Sequence, residues 1–180
     1  GQLTAKGWHV VVLQEQSQLP IIPGGKANYM VPGAKKIVAD LKVVNGCARV
    51  LFFLTWGRKA GGKQCGGGGC SAEFADFGEM QDGLTAAYLD AAQQVGGAVV
   101  PVGEAWRQAI KVGGVELFAS DGSHPSVAGS YLAAATFHAA LFKQSPAGAS
   151  YVAGLSAAVA SKLVGIAANT VLDDPGQWGL

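Results

Sequence analysis

The chain has 180 residues, enough for one domain with a real core. Hydrophobic residues make up 49% and charged residues 14%, and the formal net charge is +1. So few charges cannot coat the outer faces of a helical bundle, so a compact mixed α/β domain is expected. No basic stripe points to nucleic acid, and no apolar run reaches the roughly 18 residues a membrane span takes. Gly1 opens directly into ordinary sequence, so any signal peptide would lie outside these residues.

In chain order, residues 8–14 are β-branched and apolar on both faces, which fits a parallel strand covered on both sides. A polar run from Gln14 to Gln18 follows, then Pro20 and a Pro23-Gly24-Gly25 turn. Residues 31–45 read as a helix with Pro32 near its start and Val38, Leu41 and Val44 on its buried face. Residues 48–56 make a second strand, and the glycine-rich stretch 57–72 reads as loop. Residues 76–95 are helical, with Met80, Leu84, Tyr88 and Ala91 at helical spacing. A third strand covers 98–102, a short helix with Trp106 covers 103–111, and 115–118 is short and extended. Asp121 to Pro125 is a turn, Pro125 suits the start of a helix over 126–142, and an alanine-rich helix covers about 151–170. Strands alternating with helices predict a three-layer parallel sheet with crossovers, flavodoxin-like in type. Residues 1–174 form one domain, and Pro175-Gly176 opens a loose tail over 175–180.

Cys65 and Cys70 flank four glycines; they form either a disulfide closing a small loop or two free thiols. The disulfide would point towards a secretory route. Cys47 precedes a strand and is expected to pack as a small apolar residue. No histidine accompanies the cysteine pair, so no zinc site is expected there.

Ligands of open α/β sheets bind beyond the carboxyl ends of the strands. Gln14 to Gln18, Thr55 to Gly57 and Asp121 to His124 fall at such ends. The Asp121-x-x-His124 spacing is the sharpest signal. An aspartate three residues before a histidine can hold one ring nitrogen and leave the other as a general base. Alternatively, Asp121 simply supports an Asp-Gly turn beneath an exposed His124.

The stretch from Asp121-Gly122-Ser123-His124-Pro125 to Ala134 resembles the last block of the SGNH hydrolases, in which an Asp-x-x-His-Pro turn leads into the final core helix. Val11-Val12-Leu13-Gln14-Glu15-Gln16-Ser17 and the segment from Met80-Gln81 to Trp106 resemble earlier parts of the same family. The resemblance covers about residues 8–170. It implies a serine esterase cleaving an acyl or acetyl ester, small or carbohydrate-linked, with His124 activating a serine, Asp121 orienting His124, and no cofactor or metal. The oxyanion-binding Asn of many relatives is absent; Gln14 or Gln16 could supply an amide donor instead. The nucleophile block Gly-Asp-Ser is absent too. Gly69-Cys70-Ser71 is the nearest string, but no strand precedes it. The resemblance therefore implies that strands one and two, and the serine, lie in an N-terminal segment or companion chain. Residues 10–12 would otherwise be an apolar open edge.

Gly57-Arg58-Lys59-Ala60-Gly61-Gly62-Lys63 has phosphate-loop spacing, but Gln64 follows and no helix N-terminus is near. It reads instead as a mobile loop beside the cleft, with Arg58, Lys59 and Lys63 solvated. His9 and His138 are read as structural, and Trp56 and Trp106 as core or cleft lining. The rival to an esterase is a non-catalytic module that keeps the same shape for binding.

Overall fold

The computed structural model describes Leu3, residues 7–66 and residues 69–180. The expectations about Gly1 and the Gly67-Gly68 tip of the glycine run lie outside the described residues. Three parallel strands, β1 (Val10–Leu13), β2 (Arg49–Phe53) and β5 (Ala98–Val100), form one sheet in the order β1-β2-β5. The other two strands, β3 (Gly62–Gly66) and β4 (Gly69–Phe74), form a separate antiparallel hairpin. Helices α1 (Val31–Val44) and α2 (Phe77–Val95) lie in the two crossovers. They are followed by α3 (Val102–Val112), α4 (Val127–Phe142) and α5 (Ala157–Leu172).

Side chains alternate across a strand, so each strand feeds two cores. On β2, Leu51 joins Val100, Trp106, Leu132 and Leu163 in the layer containing α3, α4 and α5. Val50 and Phe52 join Val38, Leu41, Leu84 and Tyr88 in the layer built on α1 and α2. Both layers are apolar, which is why these strands read as continuous hydrophobic runs. The architecture is the expected three-layer α/β fold. Within the described residues β1 pairs on one side only, through Val10–Leu13 against Arg49–Phe52, and Val12 is exposed.

Three helices start on side-chain caps that satisfy otherwise orphaned backbone donors. Asp76 accepts from Glu79 N, Ser126 from Gly129 N, and Ser156 from Val159 N. Glu79 reaches back to Ala75 N at 2.6 Å, closing the capping arrangement at the start of α2.

Several expectations are corrected. The stretch 57–72 is not all loop: it contains β3 and most of β4, where Cys65 and Cys70 face each other in register and are joined by a disulfide. Glycine's poor strand propensity hid this hairpin; Gln64 N donating to Ser71 Oγ at 3.0 Å helps to hold it. The last helix starts at Ala157, where Ser156 caps it after Gly154 at φ +73°. Residues 115–118 are short and extended as expected, with a single bridge from Phe118 to Pro125. Val44 and Cys47 are exposed, because α1 ends there and the chain turns before β2. The tail is not loose: Asp174 caps a 3-10 turn over Pro175–Trp178, and buried Trp178 donates to Thr170 O at 2.9 Å. A π-helical turn over Lys26–Met30 leads straight into α1 and was not foreseen.

Gly129 of α4 marks a tight approach beneath the site. A Cβ there would lie 2.3 Å from both Leu117 O and the Trp106 ring. Trp106 is fully buried and cannot yield. Gly129→Ala should therefore lose about 1–3 kcal/mol, the usual cost of overpacking. Urea unfolding of the variant checks this; an unchanged midpoint would show that the α4 contact is not tight.

Candidate functional site

The segment before α4 is an Asp-anchored turn. Asp121 Oδ1 accepts from Ser123 N and His124 N, each at 2.9 Å, while Oδ2 lies 2.5 Å from His124 Nδ1. Gly122 takes φ +65°, a conformation that favours glycine. Ala119 N donates to His124 O at 2.8 Å, and Ser126 N to Leu117 O at 2.8 Å, closing the base of the turn. One carboxylate thus fixes both the backbone and the ring of His124. Its hydrogen bond to the His124 side chain, followed by those from His124 N and Ser123 N, holds the Asp121 carboxyl well below the usual range. The His124 side chain is 79% exposed, so it stands in solvent rather than in the core.

His124 faces a cleft of about 410 Å³ at the carboxyl ends of β1 and β2. Its walls are Gln14, Gln16 and Ser17 after β1, Thr55, Trp56 and Arg58 after β2, and Ser123 to Pro125. Trp56 ties two of these walls together. Its Nε1 donates to Ser123 O at 2.9 Å, and its ring stacks on Trp106 at 4.1 Å between centroids. Lys59 N donates to Gly122 O at 2.9 Å, a second link from the β2 loop to the turn.

Gln81 of α2 holds that loop from behind. It is fully buried; its Oε1 accepts from Gly57 N at 2.9 Å and its Nε2 donates to Thr55 O at 3.3 Å. Gly103 packs against the same amide, where a Cβ would lie 2.2 Å from Gln81 Nε2 and 2.3 Å from Thr55 O. Under the β1 loop, Tyr88 OH accepts from Glu15 N at 3.3 Å. Burial pushes this phenol up to about 12, against the lowering pull of Thr55 and of Glu15 N.

Of the residues singled out from the sequence, Asp121 and His124 form a direct pair, and Gln14 and Gln16 both line the same cleft. The two glutamines differ. Gln16 Oε1 is occupied by Gln18 N and Leu19 N, at 3.1 and 3.0 Å, and its amide nitrogen meets the Gln18 side chain. Gln14 makes no side-chain hydrogen bond among the described residues and is exposed to the cleft. Cys65 and Cys70 lie in the hairpin outside the cleft. Ser71 is buried, with its hydroxyl donating to Ala72 O. Trp56 lines the cleft and Trp106 is core beneath it. His9 is exposed ahead of β1, and His138 packs against Phe142 within α4. Among the described residues no cluster of His, Cys, Asp or Glu could hold a metal. Among the described residues no helix is long and apolar enough to cross a membrane. Sequence reading missed the role of Gln81, and Arg58, expected to be solvated, is only partly exposed on the cleft wall. A glutamine inside an otherwise apolar helical face was the available signal for Gln81.

No family model matches the sequence, and no curated protein matches it. Two similar solved structures agree with the fold. A DUF4886 family protein from Bacteroides uniformis superposes with a TM-score of 0.77 at 21% identity, over 95% of this chain and 65% of that one. A protein from Slackia heliotrinireducens, described as a candidate SGNH hydrolase, gives a TM-score of 0.57 at 26% identity, over 75% of this chain and 66% of that one. The chain spans about two thirds of the length of each. The domain therefore has an α/β fold similar to those of SGNH-like hydrolases.

Two expected outcomes follow from this geometry. Gln81→Leu strips a buried N–H and carbonyl of their partner, so it should lose about 1–3 kcal/mol for each group left unpaired; denaturant unfolding measures it. A depressed carboxyl contributes stability fully above its unfolded value of about 3.9, and loses it as the pH falls through the lower folded value. The melting-temperature gap between wild type and Asp121→Asn should thus close as the pH drops below the ordinary aspartate range. A gap that stays constant to pH 2 would contradict this.

Proposed function

We propose that the chain carries the acid–base half and part of the oxyanion site of a serine esterase acting on acyl or acetyl esters, small or carbohydrate-linked. The observation that carries the reading is the 2.5 Å Asp121–His124 pair, exposed on a cleft at the carboxyl ends of parallel strands. With Nδ1 held by Asp121, His124 Nε2 is the ring nitrogen available to take a proton.

In this reading a serine hydroxyl from outside the 180 residues attacks the ester carbonyl while His124 Nε2 accepts its proton. The tetrahedral oxyanion takes a hydrogen bond from the Gln14 amide, the uncommitted member of the glutamine pair. Collapse expels the alcohol, which receives the proton from His124, and leaves an acyl-serine. Water then attacks, His124 takes its proton, and the proton returns to the serine as the acid leaves. Asp121 fixes the tautomer and stabilises the imidazolium without itself being protonated. The β1 edge supports this reading. A strand added to the free edge of β1, in parallel, would end beside Gln14 and could deliver a serine to His124.

The rival reading is a non-catalytic binding module of the same shape. It is favoured by one fact: no serine hydroxyl among the described residues hydrogen-bonds to His124. Turnover separates the two. In the full-length protein, His124→Ala should lower kcat/KM on 4-nitrophenyl acetate by about 10⁴-fold or more. Gln14→Ala should lower kcat by about 10²–10³-fold, whereas Gln16→Ala should act mainly on stability. Wild-type turnover in His124→Ala would overturn the esterase reading, and equal losses in the two glutamine variants would overturn the choice of Gln14.

A further inference from the structure

The cleft beside His124 contains one permanently charged side chain, Arg58. Four other surface cations pair with carboxylates; among the described residues, unpaired ones such as Arg49, Lys63 and Lys111 do not line this cleft. Lys59 pairs with Glu116 at 2.5 Å, Arg107 with Asp82 and Glu104 at 2.6 and 3.0 Å, Lys26 with Asp90 at 2.7 Å, and Lys36 with Asp40 at 3.3 Å. Arg58 has no carboxylate within ion-pair distance among the described residues, although it is only partly exposed. Its Nε and Nη2 donate to the side-chain amide of Gln18, a neutral partner. The carboxylates near the cleft are otherwise engaged: Asp121 with His124, and Glu15 Oε1 with Gln16 N at 2.7 Å.

The backbone under Arg58 is pinned on three consecutive residues. Gly57 N donates to Gln81, Arg58 N to Met80 Sδ at 3.1 Å, and Lys59 N to Gly122 O. The guanidinium therefore leaves from a rigid base between the β1 loop and the His124 turn. With a neutral amide on its Nε–Nη2 edge and no counterion on the wall of a neutral cleft, this guanidinium suits a carboxylate, which would take the place of the amide or add to it.

We infer that Arg58 is a substrate-binding residue that selects esters carrying a carboxylate. The inference rests on the esterase reading of the cleft and adds the class of substrate. The carboxylate can sit on the acyl side, as in a dicarboxylic half-ester, or on the alcohol side, as in an acylated hydroxy acid. Either would meet Arg58 while the ester carbonyl lies at His124.

The test uses the full-length protein and two substrate pairs. For the acyl side, 4-nitrophenyl hemisuccinate is compared with 4-nitrophenyl butyrate. For the alcohol side, 4-acetoxybenzoate is compared with its methyl ester. Wild type should favour the carboxylate member of one pair, and that pair identifies the side. In Arg58→Gln the carboxylate-to-neutral ratio of kcat/KM should fall roughly 10- to 100-fold, with partial recovery in Arg58→Lys. Equal losses on both members, or no preference in wild type, would overturn the inference and leave the esterase reading standing. If no ester is turned over, the esterase reading fails and binding decides instead. Titration with succinate should then shift the Trp56 indole and His124 ring resonances saturably in wild type but not in Arg58→Gln. No shift in wild type, or the same shift in both, would overturn the inference.

Discussion

The buried amide of Gln81 is the constraint on which the site depends. A polar side chain at zero exposure must find partners inside the protein, and this one finds them at Gly57 N and Thr55 O, with Thr85 Oγ1 at 3.3 Å. It thereby fixes the point where the chain leaves β2. From that fixed point Trp56 reaches Ser123 and Lys59 N reaches Gly122, so the His124 turn is registered against the sheet from outside itself. Asp121 completes the arrangement locally. The imidazole is thus positioned by one carboxylate and by two bonds that trace back to a single buried amide.

Much of this was legible in the sequence because its physical signals are local. Apolar runs on both faces marked the three parallel strands, and the Asp121-x-x-His124 spacing marked the turn that the structure closes at 2.5 Å. What was not legible depends on contacts between distant residues. Gln81 and Gly57 lie 24 residues apart, and nothing in either segment announces the bond. The hairpin of β3 and β4 was hidden because glycine carries no strand preference, and its register rests on Cys65, Cys70, Gln64 and Ser71. Gln14 and Gln16 could not be separated by composition. They separate only once Gln16 is seen capping the backbone at Gln18 and Leu19. Trp178 looked like part of a tail because Pro175-Gly176 is turn chemistry, but the turn folds the indole back under α5.

The open side of β1 and the uncommitted side chains of the cleft belong to one picture. Among the described residues β1 pairs on one side only, and edges of this kind pair readily with another strand. The cleft lies at the end of that edge, with Gln14 at the carboxyl end of β1 and His124 exposed nearby. A strand laid along the edge would cover exposed Val12 and bring its own carboxyl end to the cleft. In the proposed reading, one added strand would pair this edge and bring a hydroxyl to His124.

The central claim is that His124 serves a serine outside these 180 residues. Labelling the full-length protein with a fluorophosphonate and mapping the adduct by peptide mass spectrometry tests it directly. The account predicts a single adduct on a serine outside residues 1–180, lost in His124→Ala. No adduct, an adduct on Ser17 or Ser123, or labelling indifferent to His124 would contradict it.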